Sequence, residues 1–314
     1  VATRDMDESG TAAPLEPLKN AILIAGPTAS GKSALAIRLA LQQDGVIVNT
    51  DSMQVYSVLH HLTARPSAED ESRVPHRLYG TVSPAIAYST GEWARAVSNL
   101  VRNAELQDKT IIFVGGTGLY FRALTEGLSS MPEVDPAIRQ RWRDALQAEG
   151  AAKLHNILQT RDPIAAEAIR VTDGQRIVRA LEVEEASGKP ISWWQGQRGQ
   201  PIVHAPGARK IVLTPDRAWL AERIGDRFDI MIKAGAMDEV DQIAKLDLDP
   251  ALPAMKAIGL RELLQVRRGE LSMADAVELA KTMTRQYAKR QSTWFRTQLD
   301  ESWMRVADAH LIRK

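Results

Sequence analysis

The chain has 314 residues and no cysteine. That excludes disulfides, iron–sulfur clusters and thiolate zinc sites, and fits a reducing cytoplasm, where we expect the protein to work. Neither sign of charge dominates. Lys and Arg number 40 against 39 Asp and Glu, a net charge of +1. A histone-like blanket of positive charge is thereby excluded, and any nucleic-acid surface must be a local patch. Long apolar runs are missing too. Ala21 to Ala25 with its flanks is far too short to span a bilayer, so no membrane partner is expected. Nothing in the first twenty residues joins a basic start to an apolar run, so no secretory signal is expected. What remains is an ordinary globular composition, 44% apolar and 25% charged, long enough for one large domain or two modest ones.

Residues 1–18 are small, polar and Pro-containing, and predict a disordered lead-in. From Asn20 the pattern is α/β. Ala21 to Ala25 is a continuous apolar run, as in a strand buried on both faces of a parallel sheet. A Gly-rich turn and a helical pattern over Ala34 to Gln42 follow. Three more runs, Val46 to Val48, Thr110 to Val114 and Lys210 to Leu213, read as strands of the same sheet. The order argues for a doubly wound, P-loop NTPase-like parallel sheet flanked by helices.

Between these strands the texture changes. Asp135-Pro136 and Asp162-Pro163 read as N-caps with proline at the first helical position. A further helix starts at Thr172 or Asp173 and ends at Ser187-Gly188. Residues 127–206 therefore form an all-helical insertion, and residues 19–126 and 207–314 form the core that carries it. The C-terminal part reads as helical. Leu220, Ile224, Phe228 and Ile232 make one apolar stripe. A last long helix starts at Ser272, with Ala276, Ala280, Met283, Tyr287 and Trp294 on its apolar face. Lys281, Arg285, Lys289 and Arg296 gather opposite.

Gly26-Pro27-Thr28-Ala29-Ser30-Gly31-Lys32-Ser33 matches G-x-x-x-x-G-K-[ST] in the required place, after a strand and before a helix. The glycines let backbone N–H groups turn inward around phosphate oxygens, and the helix N-terminus adds partial positive charge. Lys32 reaches a terminal phosphate, and the Ser33 hydroxyl can ligate Mg²⁺. This is a diphosphate or triphosphate site. An ATPase would usually place an Asp at the end of a buried strand for the metal. Here Ile111 to Val114 runs instead into Gly115-Gly116-Thr117-Gly118. The carboxylate at a strand end is Asp51. It is either a turn cap for Ser52 to Tyr56 or a general base at the sheet edge.

Five segments in order carry a resemblance. They are Gly26 to Ser33, Asp51-Ser52-Met53-Gln54-Val55-Tyr56, Val114 to Tyr120, Gln175 to Val183, and Gln286 to Gln291 with Thr293-Trp294. Together they resemble the bacterial tRNA dimethylallyltransferases, also called tRNA isopentenyltransferases, from about residue 20 to 298. The resemblance implies transfer of a dimethylallyl group from dimethylallyl diphosphate to N6 of the adenosine 3′-adjacent to the anticodon. On that reading the P-loop holds a leaving diphosphate, with Mg²⁺ and Lys32 neutralising its charge. Asp51 takes the proton of the adenine amine, Thr28 contacts the diphosphate near its bridging oxygen, and Arg223 is a further diphosphate clamp with Arg227 as the alternative.

For the tRNA anticodon stem-loop, the resemblance assigns Asp51, Ser52, Met53, Gln54, Thr117, Arg139 and the helix carrying Gln175, Arg176, Ile177, Val178 and Arg179. The basic stripe of the last helix, including Lys281, Arg285 and Lys289, points the same way by charge alone. A monomer is expected. His60-His61 is not read as a metal site, since adjacent histidines point apart and no third ligand is evident. Trp193-Trp194 reads either as a base-stacking pair or as a hydrophobic anchor of the insertion. The chain departs from the family's Gly-Thr-Ala-Lys-Pro stretch, reading Leu62-Thr63-Ala64-Arg65-Pro66, which leaves the conformation of that loop open. Three other functions compete: a small-molecule kinase with Asp51 as base, an adenylate prenyltransferase, and an RNA-binding protein with a relic nucleotide site. The insertion and the basic last helix weigh against the first, the insertion against the second, and an intact Lys32, Ser33 and Asp51 against the third.

Overall fold

The computed structural model describes residues 16–197 and 199–312. The lead-in expected over residues 1–18 lies almost wholly outside them. Its last residue, Leu18, is ordered by the backbone: its N–H donates to Ile202 C=O at 2.9 Å and it bridges Val203.

The elements run β1 (Ile22–Ala25), α1 (Lys32–Gln42), β2 (Gly45–Asn49), α2 (Ala68–Arg73), β3 (His76–Arg77), α3 (Thr90–Val101), β4 (Thr110–Gly115) and α4 (Gly118–Glu126). Then come α5 (Pro136–Glu149), α6 (Ala151–Arg161), α7 (Pro163–Ala168), α8 (Gly174–Ser187) and α9 (Ile191–Gly196). The chain closes with β5 (Arg209–Leu213), α10 (Arg217–Lys233), α11 (Ala236–Lys245), α12 (Leu260–Arg267), α13 (Met273–Gln298) and β6 (Met304–Val306). Among the described residues the six strands are all parallel, in the order β3-β2-β4-β1-β5-β6. The four apolar runs are the inner strands β2, β4, β1 and β5. Helix α1 covers one face, laying Leu35, Leu39 and Ala40 against Ile22, Ile24 and Ile112.

Register positions the site. Ala25 lies opposite Gly115, and Asn49 opposite Val114. The three loops leaving β1, β2 and β4 therefore emerge side by side at the carboxyl edge of the sheet, where doubly wound folds bind ligands.

Several expectations are corrected. The C-terminal part is not wholly helical, since β6 adds an edge strand against β5. The α10 stripe is Leu220, Ile224, Phe228 and Met231 rather than Ile232, because a step of seven returns closer to the starting face than a step of eight. On α13 the buried series is Ala276, Ala280, Thr284, Ala288, Gln291 and Phe295, and Met283 is 38% exposed. Two polar residues on a buried stripe need partners, and Gln291 finds them in the site.

The chain divides into two compact units, one made of Val1–Thr125 with Ile202–Lys314 and the other of Glu126–Pro201. Residues 202–206, read as part of the insertion, belong to the sheet-bearing unit. Both Ile202 and Val203 donate to Leu124 C=O at 2.9 Å. The second unit holds α5 to α9. Its caps are the ones the sequence signals: Asp135 on Ala137 N–H, Asp162 on Ala165 N–H and Asp173 on Arg176 N–H. Leu154, Leu158, Ile177 and Leu181 lie in its core, with Trp194 packed alongside, while Trp193 is 44% exposed. Among the described residues, no helix is long and apolar enough to cross a membrane.

Candidate active site at the carboxyl edge of the sheet

Gly26–Ser33 turns from β1 into α1 as a tight cradle. Gly31 takes the left-handed conformation at φ 87°, and so does Ala29 at φ 64°, a strained state for a residue with a Cβ. A Cβ on Gly26 would lie 2.8 Å from Ser30 Oγ and 3.2 Å from Leu213 Cβ, so a side chain there would displace the Ser30 hydroxyl. Inside the cradle Ser30 is 4% exposed and its Oγ has no hydrogen-bond partner. A buried hydroxyl without a partner is free to donate to a group placed in the cradle. Lys32 Nζ donates to Pro27 C=O at 3.2 Å. Burial pulls its ammonium down to about 8, with Asp51 opposing and Arg227 reinforcing the shift.

Asp51 follows β2 by two residues. Its N–H donates to Asn49 Oδ1 at 2.8 Å, and its Oδ1 accepts from Met53 N–H at 3.0 Å. The turn-cap reading thus holds for one carboxylate oxygen. Oδ2 lies on the side of Gly116, 3.3 Å from where a Cβ there would sit. The cap orients the carboxylate and the second oxygen is presented to the crevice, so the two readings are compatible.

The glycines of the β4 loop serve close approach rather than turn geometry, since none of Gly115, Gly116 and Gly118 has positive φ. A Cβ would meet Thr50 C=O at 2.0 Å from Gly115, Gln291 Nε2 at 2.1 Å from Gly116 and the Trp294 ring at 2.2 Å from Gly118. Thr117 Oγ1 accepts from Ser52 N–H at 2.9 Å, and Thr117 N–H donates to Thr50 C=O at 3.2 Å. The β2 and β4 loops are therefore held as one surface.

Arg227, and not Arg223, reaches the cradle. Its Nη2 donates to Thr28 Oγ1, and burial brings its guanidinium down to about 10, with Asp51 opposing and Arg223 adding to the shift. Arg223 is exposed, its guanidinium 4.7 Å over the Trp219 ring. The face of α10 that carries Leu220 and Ile224 onto Ala29 carries Arg227 as well, at seven residues from Leu220, and Arg223 lies at its border. Gln291, which sequence reasoning left without a role, accepts from Thr28 N–H at 2.9 Å and donates to Gly116 C=O at 2.9 Å. It lay inside a quoted motif, and a Gln on the buried stripe of a long helix was the available signal.

An apolar cavity opens beside Thr28, Asp51 and Arg227, walled by Leu62, Ile224, Phe228, Met231, Ala257 and Ile258. Met53 and Tyr287 also line it. Burial, then Asp51, pushes the Tyr287 phenol up, so it stays neutral.

The residues expected to meet RNA fall into groups. Ser52 and Thr117 are half-buried in the joined loops. Gln54 spends its amide nitrogen on Thr63 C=O and Ala64 C=O, at 2.8 and 2.9 Å, and so braces the 57–66 loop. Lys281 is paired with Asp229 at 2.8 Å and Glu278 at 3.3 Å, with its side chain 13% exposed, which removes it from a free basic stripe. Arg285 donates to Thr282 Oγ1, and Lys289 is exposed. On α8, Gln175 and Arg176 are exposed and Arg179 is half-buried, while the side chains of Ile177 and Val178 are buried in the core at 0% and 5%. Arg176 pairs with Asp173 and Arg179 with Glu182, each at 3.5 Å. Arg139, on α5, is half-buried.

Contrary to expectation, His60-His61 has a third candidate ligand beside it. Glu239 of α11 brings its carboxylate to both rings, with ligand atoms within 4.8 Å of one another. The carboxylate has another task, however: the N–H groups of His60, His61 and Leu62 all donate to it, at 2.5–3.1 Å. Leu62, standing where the resembling family has glycine, has no left-handed φ, so its loop tolerates the change.

A parallel sheet whose first strand runs through a glycine cradle into a helix defines a P-loop NTPase-like α/β protein, and the paired loops set its cradle on one side of a crevice. The model of the IPP transferase family matches residues 54–298. A tRNA dimethylallyltransferase of Chelativorans sp. (strain BNC1) is 60% identical over 286 residues, covering 91% of this chain and 98% of that one. Another, of Mesorhizobium japonicum, is 57% identical over 301 residues, covering 96% and 94%. Among solved structures, a eukaryotic dimethylallyltransferase acting on tRNA superposes with a TM-score of 0.78 at 27% identity, covering 93% of this chain and 75% of its own. A tRNA isopentenylpyrophosphate transferase of Bacillus halodurans gives 0.65 at 29%, covering 93% and 90%. The chain belongs to the IPP transferase family.

Proposed function

We propose that the protein transfers the dimethylallyl group of dimethylallyl diphosphate to N6 of the adenosine 3′-adjacent to the anticodon in tRNA, and releases diphosphate. The observation that carries this reading is one cavity with two characters. Its polar end joins Thr28, Arg227 and Asp51 beside the cradle, and its remaining walls are mostly aliphatic and aromatic, with Thr63 and Thr284 among them. An allylic diphosphate has the same two characters in one molecule.

In this mechanism the bond from C1 to the bridging oxygen breaks, and the diphosphate leaves with the electron pair. The cradle N–H groups, Ser30 Oγ, Lys32 and Arg227 stabilise the charge that develops there. The N6 lone pair forms the new bond to C1, and the N6 proton passes to the Asp51 carboxylate. The apolar walls exclude water, which would otherwise intercept an allylic cation. Mg²⁺ would be held at the cradle by the Ser33 hydroxyl together with the diphosphate, and would neutralise diphosphate charge.

The tRNA is gripped in this proposal by Gln175, Arg176 and Arg179 of α8, Arg139, and the exposed cations of α13. Ser52 and Thr117 face the adenosine, and the protein works as a monomer. The test is a transfer assay with labelled dimethylallyl diphosphate, Mg²⁺ and unmodified tRNA, run beside AMP and an ATPase control. Label in tRNA alone is expected, and Asp51→Ala is expected to abolish it while tRNA affinity stays within a few-fold. Label in AMP would move the protein to nucleotide prenylation, and ATP consumption would make it a kinase or an ATPase.

A further inference from the structure

Helix α10 runs along the cavity and places four residues on it: Ile224, Arg227, Phe228 and Met231. Arg227 marks the diphosphate end through its bond to Thr28. Met231 is one turn further on, a rise of about 6 Å. The main chain of a dimethylallyl group contains three carbon–carbon bonds of about 1.5 Å each. One five-carbon unit therefore fits within that rise, and a second would reach the level of Met231 and need the space its side chain fills.

The wall around this point differs in stiffness. Phe228 is 3% exposed, and its ring lies so close to Gly259 that a Cβ there would sit 3.0 Å from Cζ. It also clusters with Ala280 of α13. Phe228 is thus wedged between two elements. Met231, 7% exposed, belongs to the same cluster but is an unbranched thioether that repacks readily. Across the cavity Leu62 is fixed through its backbone, its N–H donating to Glu239 at 3.1 Å.

Taking the prenyl-transfer reading as its basis, we infer that Met231 sets the length of the allylic chain the site accepts, with Leu62 narrowing the cavity from the facing loop, so that five-carbon diphosphates are used and ten-carbon ones are rejected. The ligand class is thereby restricted to a single isoprenoid unit by side chains rather than by the backbone. Shortening either side chain should relax that limit without moving the groups that perform the chemistry.

The experiment compares kcat/KM for dimethylallyl and geranyl diphosphate with tRNA as acceptor, in the wild type, Met231→Ala, Leu62→Ala and Met231→Phe. The wild type should favour the shorter donor by about 100-fold or more, the scale on which a filled apolar pocket discriminates. Met231→Ala should raise the geranyl-to-dimethylallyl ratio by about tenfold or more, Leu62→Ala should raise it less, and Met231→Phe should depress transfer of both. A wild type that uses geranyl diphosphate as well as the shorter donor would overturn the inference. So would a ratio unmoved in both alanine variants while they still transfer dimethylallyl groups. Absence of any transfer by the wild type would instead sink the prenyl-transfer reading, so the two failures are distinguishable. Leu62→Ala, on a loop, keeps the test alive if Met231→Ala does not fold.

Discussion

Gln291 accepts a hydrogen bond from the backbone N–H of Thr28 at 2.9 Å, and the same side chain donates to Gly116 C=O at 2.9 Å. One amide on α13 thus joins the loop that holds the diphosphate in the proposed reaction to the loop beside Asp51. The bond to Gly116 C=O is buried, whereas Thr28 lines the cavity and is only part-buried. Gln291→Leu is expected to cost about 1–3 kcal/mol of stability, the penalty for one buried unpaired group. Gln291→Glu keeps the acceptor for Thr28, loses the donor to Gly116 and adds a negative charge near the cradle. It should raise KM for dimethylallyl diphosphate more than it lowers the denaturation midpoint. Urea unfolding and donor titrations on both variants check this, and a Glu variant with unchanged KM would sever the residue from the donor site.

Lys32 gives a pH dependence whose sign is fixed. Burial lowers its folded pKa to about 8, from 10.5 in a free lysine. Between those values the unfolded chain binds more protons than the folded one, so the Lys32 contribution to stability improves as pH rises through that window. Diphosphate affinity goes the other way, because the bound anion needs the ammonium form. Calorimetric titration of inorganic diphosphate should show affinity falling by up to about tenfold per pH unit above 8. Lys32→Met supplies the baseline for the ligand's own ionisation. Identical pH profiles for the two proteins would remove Lys32 from diphosphate binding.

The parts of the molecule legible in the sequence are those encoded locally. The inner strands are short apolar runs, the phosphate cradle is a contiguous motif, and the caps of α5, α7, α8 and α13 are single side chains beside the turns they close. The two-residue β3 is too short to carry a pattern, and β6 pairs only because the chain returns to β5. The site is less legible because it is built across the chain. Thr28 meets Arg227 over 199 residues and Gln291 over 263. Glu239 reaches the His60 loop over 179, so periodicity could not foresee it. The pairing of Lys281 was hidden for a related reason: its charge is visible in sequence, while Asp229, which neutralises it, lies on another helix.

The two arginines of α10 separate by experiment. Arg227 donates to Thr28 in the cradle, whereas Arg223 sits exposed over Trp219. Arg227→Ala should raise KM for dimethylallyl diphosphate by about 10- to 100-fold, the scale of a lost charge-assisted contact. Arg223→Ala should change it by much less, and Arg227→Lys should rescue only partly, since an ammonium cannot reproduce the planar fork. Steady-state kinetics with tRNA saturating decides between them, and a larger effect at Arg223 would return the clamp to that residue.

Salt dependence of tRNA binding tests the cations individually. Arg176 and Arg179 are paired with acids at 3.5 Å; the Arg176–Asp173 pair is exposed and weak, and Arg179 keeps 40% of its side chain exposed beside the buried Glu182, so phosphate can approach both guanidiniums. Each replacement by alanine should reduce the slope of log K against log salt by about one. Lys281→Ala should leave the slope unchanged, because its ammonium is held by Asp229 and Glu278 with little of the side chain exposed. Lys289, exposed on the same helix, should behave like the α8 arginines. Filter binding of unmodified tRNA at four salt concentrations is sufficient. Equal slopes for wild type and Arg176→Ala, or a reduced slope for Lys281→Ala, would redraw the surface on which the anticodon stem-loop lies.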